Sequence, residues 1–384
     1  MGPDIKEPLT LPCGLVLPNR LVKAAMAEGL ADKGHLPGPR ISRVYGEWAK
    51  GGWGALLTGN IQVDRESLDA WKQYADACQE YGTPAIAQIC HPVRQSPRGA
   101  GEWGLCGQTI APSEIPLHIG DGVAASIVRN VVFGSPKGMS QSDIDHVVGQ
   151  FVNCARVLAQ CVFSGVELHA AHGYLLSKHF LQSNTRHDQY GGSAGRRARI
   201  VLDIIQQIRN VVPATFCVGI KLNSADPSAS DFEDTMSQIQ LFGNAGVDFL
   251  EISGGSYEDP TTQSTAAREA FFLDFATQTR ERLPNIVLLL TGGFRSREGI
   301  EAALKAGVCD LVGIGRPAVL RPDFPQLLID KTYSDQEATV AFSKVPIPFL
   351  ARLLQIRVLG GGAETEYFQG QIRRIVAGLA TYAP

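Results

Sequence analysis

Strand-like and helix-like segments alternate eight times along this chain, and that alternation predicts a closed (β/α)8 barrel. Two observations carry the expectation. Eight short runs begin at Arg20, Gly54, Pro84, Gly165, Phe216, Asp248, Ile286 and Asp310, and most are nearly continuous in Val, Ile and Leu. Such runs suit strands buried on both faces of a parallel sheet. Between them lie amphipathic stretches such as SQSDIDHVVGQFVNCARVLAQ from Ser140 and RARIVLDIIQQIRNVV from Arg197. An open doubly wound sheet is the rival topology, but eight units over 384 residues suit closure better.

The elements follow in order. RLVKAAM, GALLTGNIQV and PAIAQIC supply the first three strands. A long Gly- and Pro-rich excursion over residues 91–139 comes next, and a loop of that length is usually functional, as a lid or a pocket rim. Ser140 and Ser142 are the candidate N-caps of the helix behind it. GVELHA, FCVGIKLN, DFLEISGG, IVLLLTGG and DLVGIGR complete the eight strands. The tail over residues 341–384 lies beyond the eighth unit and reads as one or two helices, covering the barrel base or meeting a second subunit as a homodimer. One domain over residues 1–384 is therefore expected, a TIM barrel with an excursion after strand three and a C-terminal helical extension.

Composition excludes several classes. Net charge is −3 and no run of Lys or Arg stands out, so neither nucleic acid nor a membrane surface is an expected partner. No apolar stretch reaches the ~18 residues of a membrane span. The opening MGPDIKEPLT lacks an apolar signal core, which points to a cytoplasmic location. The eight cysteines are scattered without a C-x-x-C pair, so reduced thiols and no metal centre are expected.

Chemistry concentrates in VELHAAHGYLLSKHFLQSNTRHDQYGGS, from Val166 to Ser193. His169 and His172 stand three apart at the end of an apolar run, and Tyr174 follows. A zinc pair would need a third ligand, and none is marked. A structural pair is the other plain reading. In such barrels the active site lies at the strand C-termini, with phosphate often held after strands seven and eight. Those strands end here in TGGF (Thr291 to Phe294) and GIGRP (Gly313 to Pro317). Glycines let backbone N–H groups approach phosphate oxygens, and Arg316 can add a charge-assisted contact.

Together these segments resemble the Old Yellow Enzyme family, the FMN-dependent ene-reductases of the NADH:flavin oxidoreductase barrels. LPNRLVKAAM, AIAQICHPVRQS, APSEIP, the His-His-Tyr segment with Arg197, GIKLN, TGGF and GIGRP are similar to the family's motifs, in order. The resemblance implies bound FMN, contacted by Ala25, Met26, Ala27, Asn60, Gln88 and Lys221, with its phosphate at Gly293, Gly315 and Arg316. Gln88 would pair its amide with the flavin's pyrimidine edge, and Lys221 would face N1 and O2. NADH or NADPH would be the reductant. His169 and His172 would hold the carbonyl oxygen of a small enone or enal substrate, and Tyr174 would protonate its Cα. Two positions depart from the family's pattern. Ala27 stands where relatives carry Thr or Cys, and Gly29 where some carry Tyr. A non-flavin isomerase or lyase acting on a phosphate substrate is the alternative activity, and a binding module without activity is a third reading.

Overall fold

The computed structural model describes residues 2–63, 68–98, 108–119, 122–180, 184–224, 229–253, 265–343, 345–346 and 357–384. Eight parallel strands form a closed barrel: β1 (Leu21–Lys23), β2 (Ala55–Leu57), β3 (Ala85–Cys90), β4 (Gly165–Ala170), β5 (Cys217–Asn223), β6 (Phe249–Ser253), β7 (Leu288–Thr291) and β8 (Leu311–Ile314). Each pairs with the next, and β8 returns to pair with β1. Every strand lies inside the run expected for it.

Around the barrel stand α1 (Pro39–Lys50), α2 (Leu68–Gln79), α3 (Gln141–Gln160), α4 (Ala194–Val211), α5 (Ala229–Asn244), α6 (Thr265–Arg282), α7 (Arg297–Lys305) and α8 (Phe324–Ile329). Of the two candidate serines, Ser140 caps α3. Its hydroxyl accepts from the Asp143 N–H, and the Asp143 carboxylate accepts from the Ser140 N–H at 2.8 Å. α4 starts three residues before the periodicity does, because Ser193 caps it at Arg196.

Strand alternation sorts the core into two parts. Leu21, Leu56, Val166, Leu168, Val218, Ile220, Leu250, Leu290 and Val312 face outward into the helix layer. Val22, Leu57, Ile86, Phe249, Leu289 and Leu311 fill the barrel itself. Gly219 is required there: a Cβ would come within 2.2 Å of the Phe249 ring.

The base of the barrel is closed by an N-terminal hairpin, Leu9–Thr10 against Val16–Leu17, which inserts Leu11 and Leu17 into that interior cluster. This excludes the barrel base, one of the two placings expected for the tail. Its described helix, α9 (Arg357–Val376), packs instead against α1 and the short helix Arg316–Leu320. Phe368, Ile372 and Ile375 form the i, i+4, i+7 stripe that does so. The excursion after β3 carries a parallel pair, Ile110–Ala111 with Lys137–Gly138, and a small cluster of Leu117, Ile119 and Ala125. Residues 99–107 and 120–121 of it lie outside the described residues.

Above the apolar layer the interior turns polar. Gln88 faces Glu167 across β3 and β4, and Lys221 faces Glu251 across β5 and β6. Gln88 Nε2 donates to Glu167 Oε2 at 2.6 Å, and Lys221 Nζ donates to Glu251 Oε1 at 2.7 Å. The two remaining carboxyl oxygens, Glu167 Oε1 and Glu251 Oε2, find no other partner. Burial, reinforced by the Glu251 charge, pushes the Glu167 carboxyl well above the usual range. Lys221 and a hydrogen bond from Glu167 hold Glu251 down against its burial. Glu167 is thus the protonated member and donates to ionised Glu251.

A carboxyl whose folded pKa is raised costs stability as pH climbs through its unfolded value of about 4.3, at about 1.4 kcal/mol per unit until the folded pKa is passed. Glu167→Gln keeps an acceptor for Gln88 and a donor for Glu251 without the proton. Its thermal midpoint should match wild type near pH 4 and exceed it increasingly toward pH 8. Parallel melting curves across that range would show that Glu167 is ionised in the folded barrel.

Candidate active site

β4 ends in the residues that carry the site. His169 is the last inward-facing residue of the strand and only 3% exposed. Its Nδ1 accepts from the Ala171 N–H at 3.3 Å, which leaves Nε2 as the protonated nitrogen. The chain then turns through His172 at φ 56° and Gly173 at φ 78°. A left-handed histidine costs on the order of 1–3 kcal/mol and persists where the surroundings over-determine it. Here they do: the His172 N–H donates to Asn223 Oδ1 at 3.1 Å, and Gln95 Nε2 donates to its carbonyl at 2.8 Å.

The turn brings His172 Nδ1 to 3.3 Å from His169 Nε2, where the protonated His169 nitrogen donates to it, so the two ring nitrogens meet at one point. His172 Nε2 lies 3.5 Å from Ser253 Oγ at the end of β6. That hydroxyl can donate or accept, so it serves either tautomer of His172. Burial, then His172 and Lys221, push His169 well below the ordinary histidine pKa. Burial and Lys221 bring His172 down to about 3. Both rings are neutral at physiological pH.

Tyr174 lies against His169 edge to face, with ring centroids 4.6 Å apart. Its Oη accepts from Asn60 Nδ2 at 2.9 Å. A donor on a phenol oxygen stabilises the phenolate and strengthens the acid. Asn60, expected at the flavin, therefore also touches the tyrosine. The polar stretch that follows is a brace. Asn184 Nδ2 donates to the carbonyls of His179 and Tyr190 at 3.0 and 2.8 Å, and Arg186 Nη1 donates to those of Pro112 and Met139. It ties the excursion to the barrel.

The expected flavin contacts lie on the same face. Ala25, Met26 and Ala27 follow β1, and Met26 Sδ would lie 3.7 Å from a Cβ on Gly315. Gln88 and Lys221 end in the buried carboxyls described above. At the expected phosphate end, Gly292 and Gly293 take φ 151° and 78° after β7, conformations that favour glycine. Arg316 Nη1 pairs with Glu364 Oε1 of α9 at 2.6 Å. Arg295 and Arg316 both lie over the Phe342 ring, at 4.1 and 5.3 Å. Two guanidinium groups gathered on one ring beside a glycine turn form an electropositive pocket edge suited to a phosphate dianion. The residues present thus fit a flavin mononucleotide.

Sequence reading missed Ser253, Asn223, Gln95, Glu251, Glu167, Arg295, Phe342 and Glu364. Period-two counting from His169 and Lys221 would have turned Glu167 and Asn223 inward, whereas Glu251 and Ser253 need the cross-strand register and the tail residues carry no local signal. At the opposite end of the barrel, Cys13, Cys217 and Asp248 gather with ligand atoms within 4.8 Å of one another. Asp248 Oδ2 there already accepts from Arg209 Nη2 and the Val218 N–H, both at 2.7 Å. No helix among the described residues is long and apolar enough to cross a membrane.

Known proteins resemble this chain in sequence and in architecture. The NADH-dependent flavin oxidoreductase iliE of Hypocrea jecorina is 42% identical over 92% of this chain and 96% of its own length. The protein of that name from Neonectria sp. is 43% identical over 92% of this chain, which spans only 51% of the relative's length. The old yellow enzyme homologue from Zymomonas mobilis superposes with a TM-score of 0.72 at 20% identity, over 89% of this chain and 98% of its own. The model of the NADH:flavin oxidoreductase / NADH oxidase family matches residues 4–335, and the chain belongs to that family.

Proposed function

We propose that this chain is an FMN-dependent oxidoreductase that reduces the activated C=C bond of α,β-unsaturated carbonyl compounds, with NADH or NADPH as reductant. The observation that carries the reading is the convergence of His169 Nε2 and His172 Nδ1 on one point, with the Tyr174 hydroxyl beside them. Membership of a flavin oxidoreductase family displaces the non-flavin isomerase or lyase reading. The curated relatives named NADH-dependent favour NADH of the two nicotinamides.

Gly293, Gly315, Arg316 and the neighbouring Arg295 would hold the phosphate. Ala25, Met26, Ala27, Asn60, Gln88 and Lys221 would meet the ring system. When bound, the flavin supplies the hydride. The chain's own residues do the rest. His169 donates through Nε2 to the substrate's carbonyl oxygen. His172 donates through Nδ1 once the substrate oxygen replaces its hydrogen bond from His169 and the Ser253 hydroxyl donates to its Nε2. Two donors aimed at that oxygen stabilise the negative charge that accumulates there as the β-carbon is reduced. Neutral rings can do this across the physiological range, because burial holds His169 well below the ordinary histidine pKa and brings His172 to about 3. Tyr174 releases its proton to the α-carbon, and Asn60 steadies the phenolate that remains.

Phenols that stack in the site should bind as phenolates against the histidine pair and give a long-wavelength band with the flavin. His169→Ala combined with His172→Ala should abolish the band while the protein stays yellow. A titration matching wild type would move the anion site elsewhere. Tyr174→Phe removes one hydroxyl. Flavin reduction by NADH should hold, while stopped-flow reoxidation by an enone should slow by about 10²–10⁴. Equal losses in both half-reactions would strip Tyr174 of the proton-donor role.

A further inference from the structure

A cavity of about 270 Å³ opens beside the proposed proton donor, between the ends of β1 and β2 and the helices α1 and α2. A cavity of roughly 150 Å³ already accommodates a benzene ring, so this one takes a larger group. Glu28, Gly29, Asn60, Trp71, Tyr74 and Gln369 are among its lining residues. Asn60 is shared with the reaction centre, since it donates to Tyr174 Oη at 2.9 Å. Gly29 keeps the cavity open: its φ is 64°, and a Cβ there would come within 2.9 Å of the Gln369 amide.

Glu28 is the feature that demands a ligand. Its side chain is only 8% exposed. Oε1 is fully engaged, accepting from the Tyr45 hydroxyl and from the Gly59 N–H at 2.8 Å. Oε2 has no hydrogen-bond partner among the described residues. It is not one of the fully buried unpaired oxygens, so within an otherwise buried side chain it is the atom left open to a ligand's donor. The charge of Glu28 is already balanced. Lys23 Nζ donates to Tyr45 Oη at 3.1 Å, so an ammonium and a carboxylate flank the same hydroxyl. Lys23 is itself fully buried, with its ammonium 4.2 Å from the Trp48 ring centroid, and cannot leave. What the cavity lacks is therefore a neutral donor and not a second cation.

We propose that this cavity is the subsite for the part of the substrate distal to its reducible double bond, and that it selects an uncharged arm whose hydroxyl or amide N–H donates to Glu28 Oε2. The inference rests on the reading of Tyr174 as the proton donor to an enone. It explains why Ala27 and Gly29 stand where larger side chains are expected: both line the space that the arm occupies.

The test uses the FMN-loaded enzyme, oxidised and without reductant. The probes are 2-cyclohexenones carrying an ω-hydroxyalkyl arm of increasing length, each beside its methyl ether. Binding is read from the flavin spectrum. At one arm length the alcohol should bind about 10-fold tighter than the ether, the factor that about 1.4 kcal/mol provides. Glu28→Gln keeps an acceptor for Gly59 and Tyr45 but presents an N–H group to the arm, and should abolish or reverse that preference. Alcohol and ether binding alike in wild type at every arm length would overturn the proposal without recourse to a variant. So would a preference that survives in Glu28→Gln, or an ω-ammonium arm that outcompetes the alcohol. Turnover of the same compounds separates the two readings. An alcohol preference without C=C reduction sinks the ene-reductase reading and sustains the subsite, whereas reduction without the preference does the reverse.

Discussion

The site rests on one buried ion pair. Lys221 and Glu251 meet at 2.7 Å inside the barrel, where neither side chain reaches solvent to any extent. Taking two charges out of water is costly, and removing one partner of such a pair typically costs about 3–5 kcal/mol. The barrel lowers that cost by extending the pair. Glu167 contributes a proton toward Glu251, and Gln88 contributes an amide toward Glu167. Four adjacent strands, β3 to β6, are thereby locked in register by polar contacts at one level. That level is the floor on which His169 stands, because Lys221 and His169 are direct cross-strand partners. The same Lys221 charge helps keep both histidines neutral. A structural layer therefore sets the protonation state of the chemistry above it.

The second constraint is the turn after β4. A strand alone would send residue 172 away from the barrel axis. The left-handed conformations of His172 and Gly173 fold it back, and Asn223 of β5 and Gln95 of the excursion hold the resulting geometry. Three separate chain segments must thus be in place before the two histidines converge. The brace formed by Asn184 and Arg186 serves the same end, because it fixes the excursion that carries Gln95. In the proposed reaction such a preorganised pair needs only a change of tautomer at His172 to aim two donors at the developing charge.

The barrel was legible in the sequence because its signal is local and repeated. Runs such as GVELHA and FCVGIKLN declare strands buried on both faces, and each predicted run contains its observed strand. His169, His172 and Tyr174 were legible because polar residues clustered at an apolar strand end are rarely idle. The roles of Gln88 and Lys221 came from resemblance, and their carboxylate partners were not foreseen. Both look like ordinary charges in a linear reading: Glu167 turns inward only when counted in twos from His169, and Glu251 only through its cross-strand register with Lys221. For a related reason the sequence leaves the tail two places, the barrel base or a second subunit. Its apolar stripe announces a packed helix but does not say against what, and the N-terminal hairpin had taken the base.

That tail shows how a shared scaffold acquires individual chemistry. The family match ends at residue 335, and α9 lies wholly beyond it. From there α9 sends Glu364 to Arg316 at the proposed phosphate end and Gln369 to the wall facing Gly29. Its anchor is conventional burial: Phe368, Ile372 and Ile375 together remove enough apolar surface, at about 25 cal/mol per Å², to hold the helix against α1. Once held, the helix delivers polar groups to two corners of the site without altering any barrel strand. Substitutions within its apolar stripe would therefore shift the proposed cofactor end and the cavity together, and the four-strand floor that fixes His169 would stay in place.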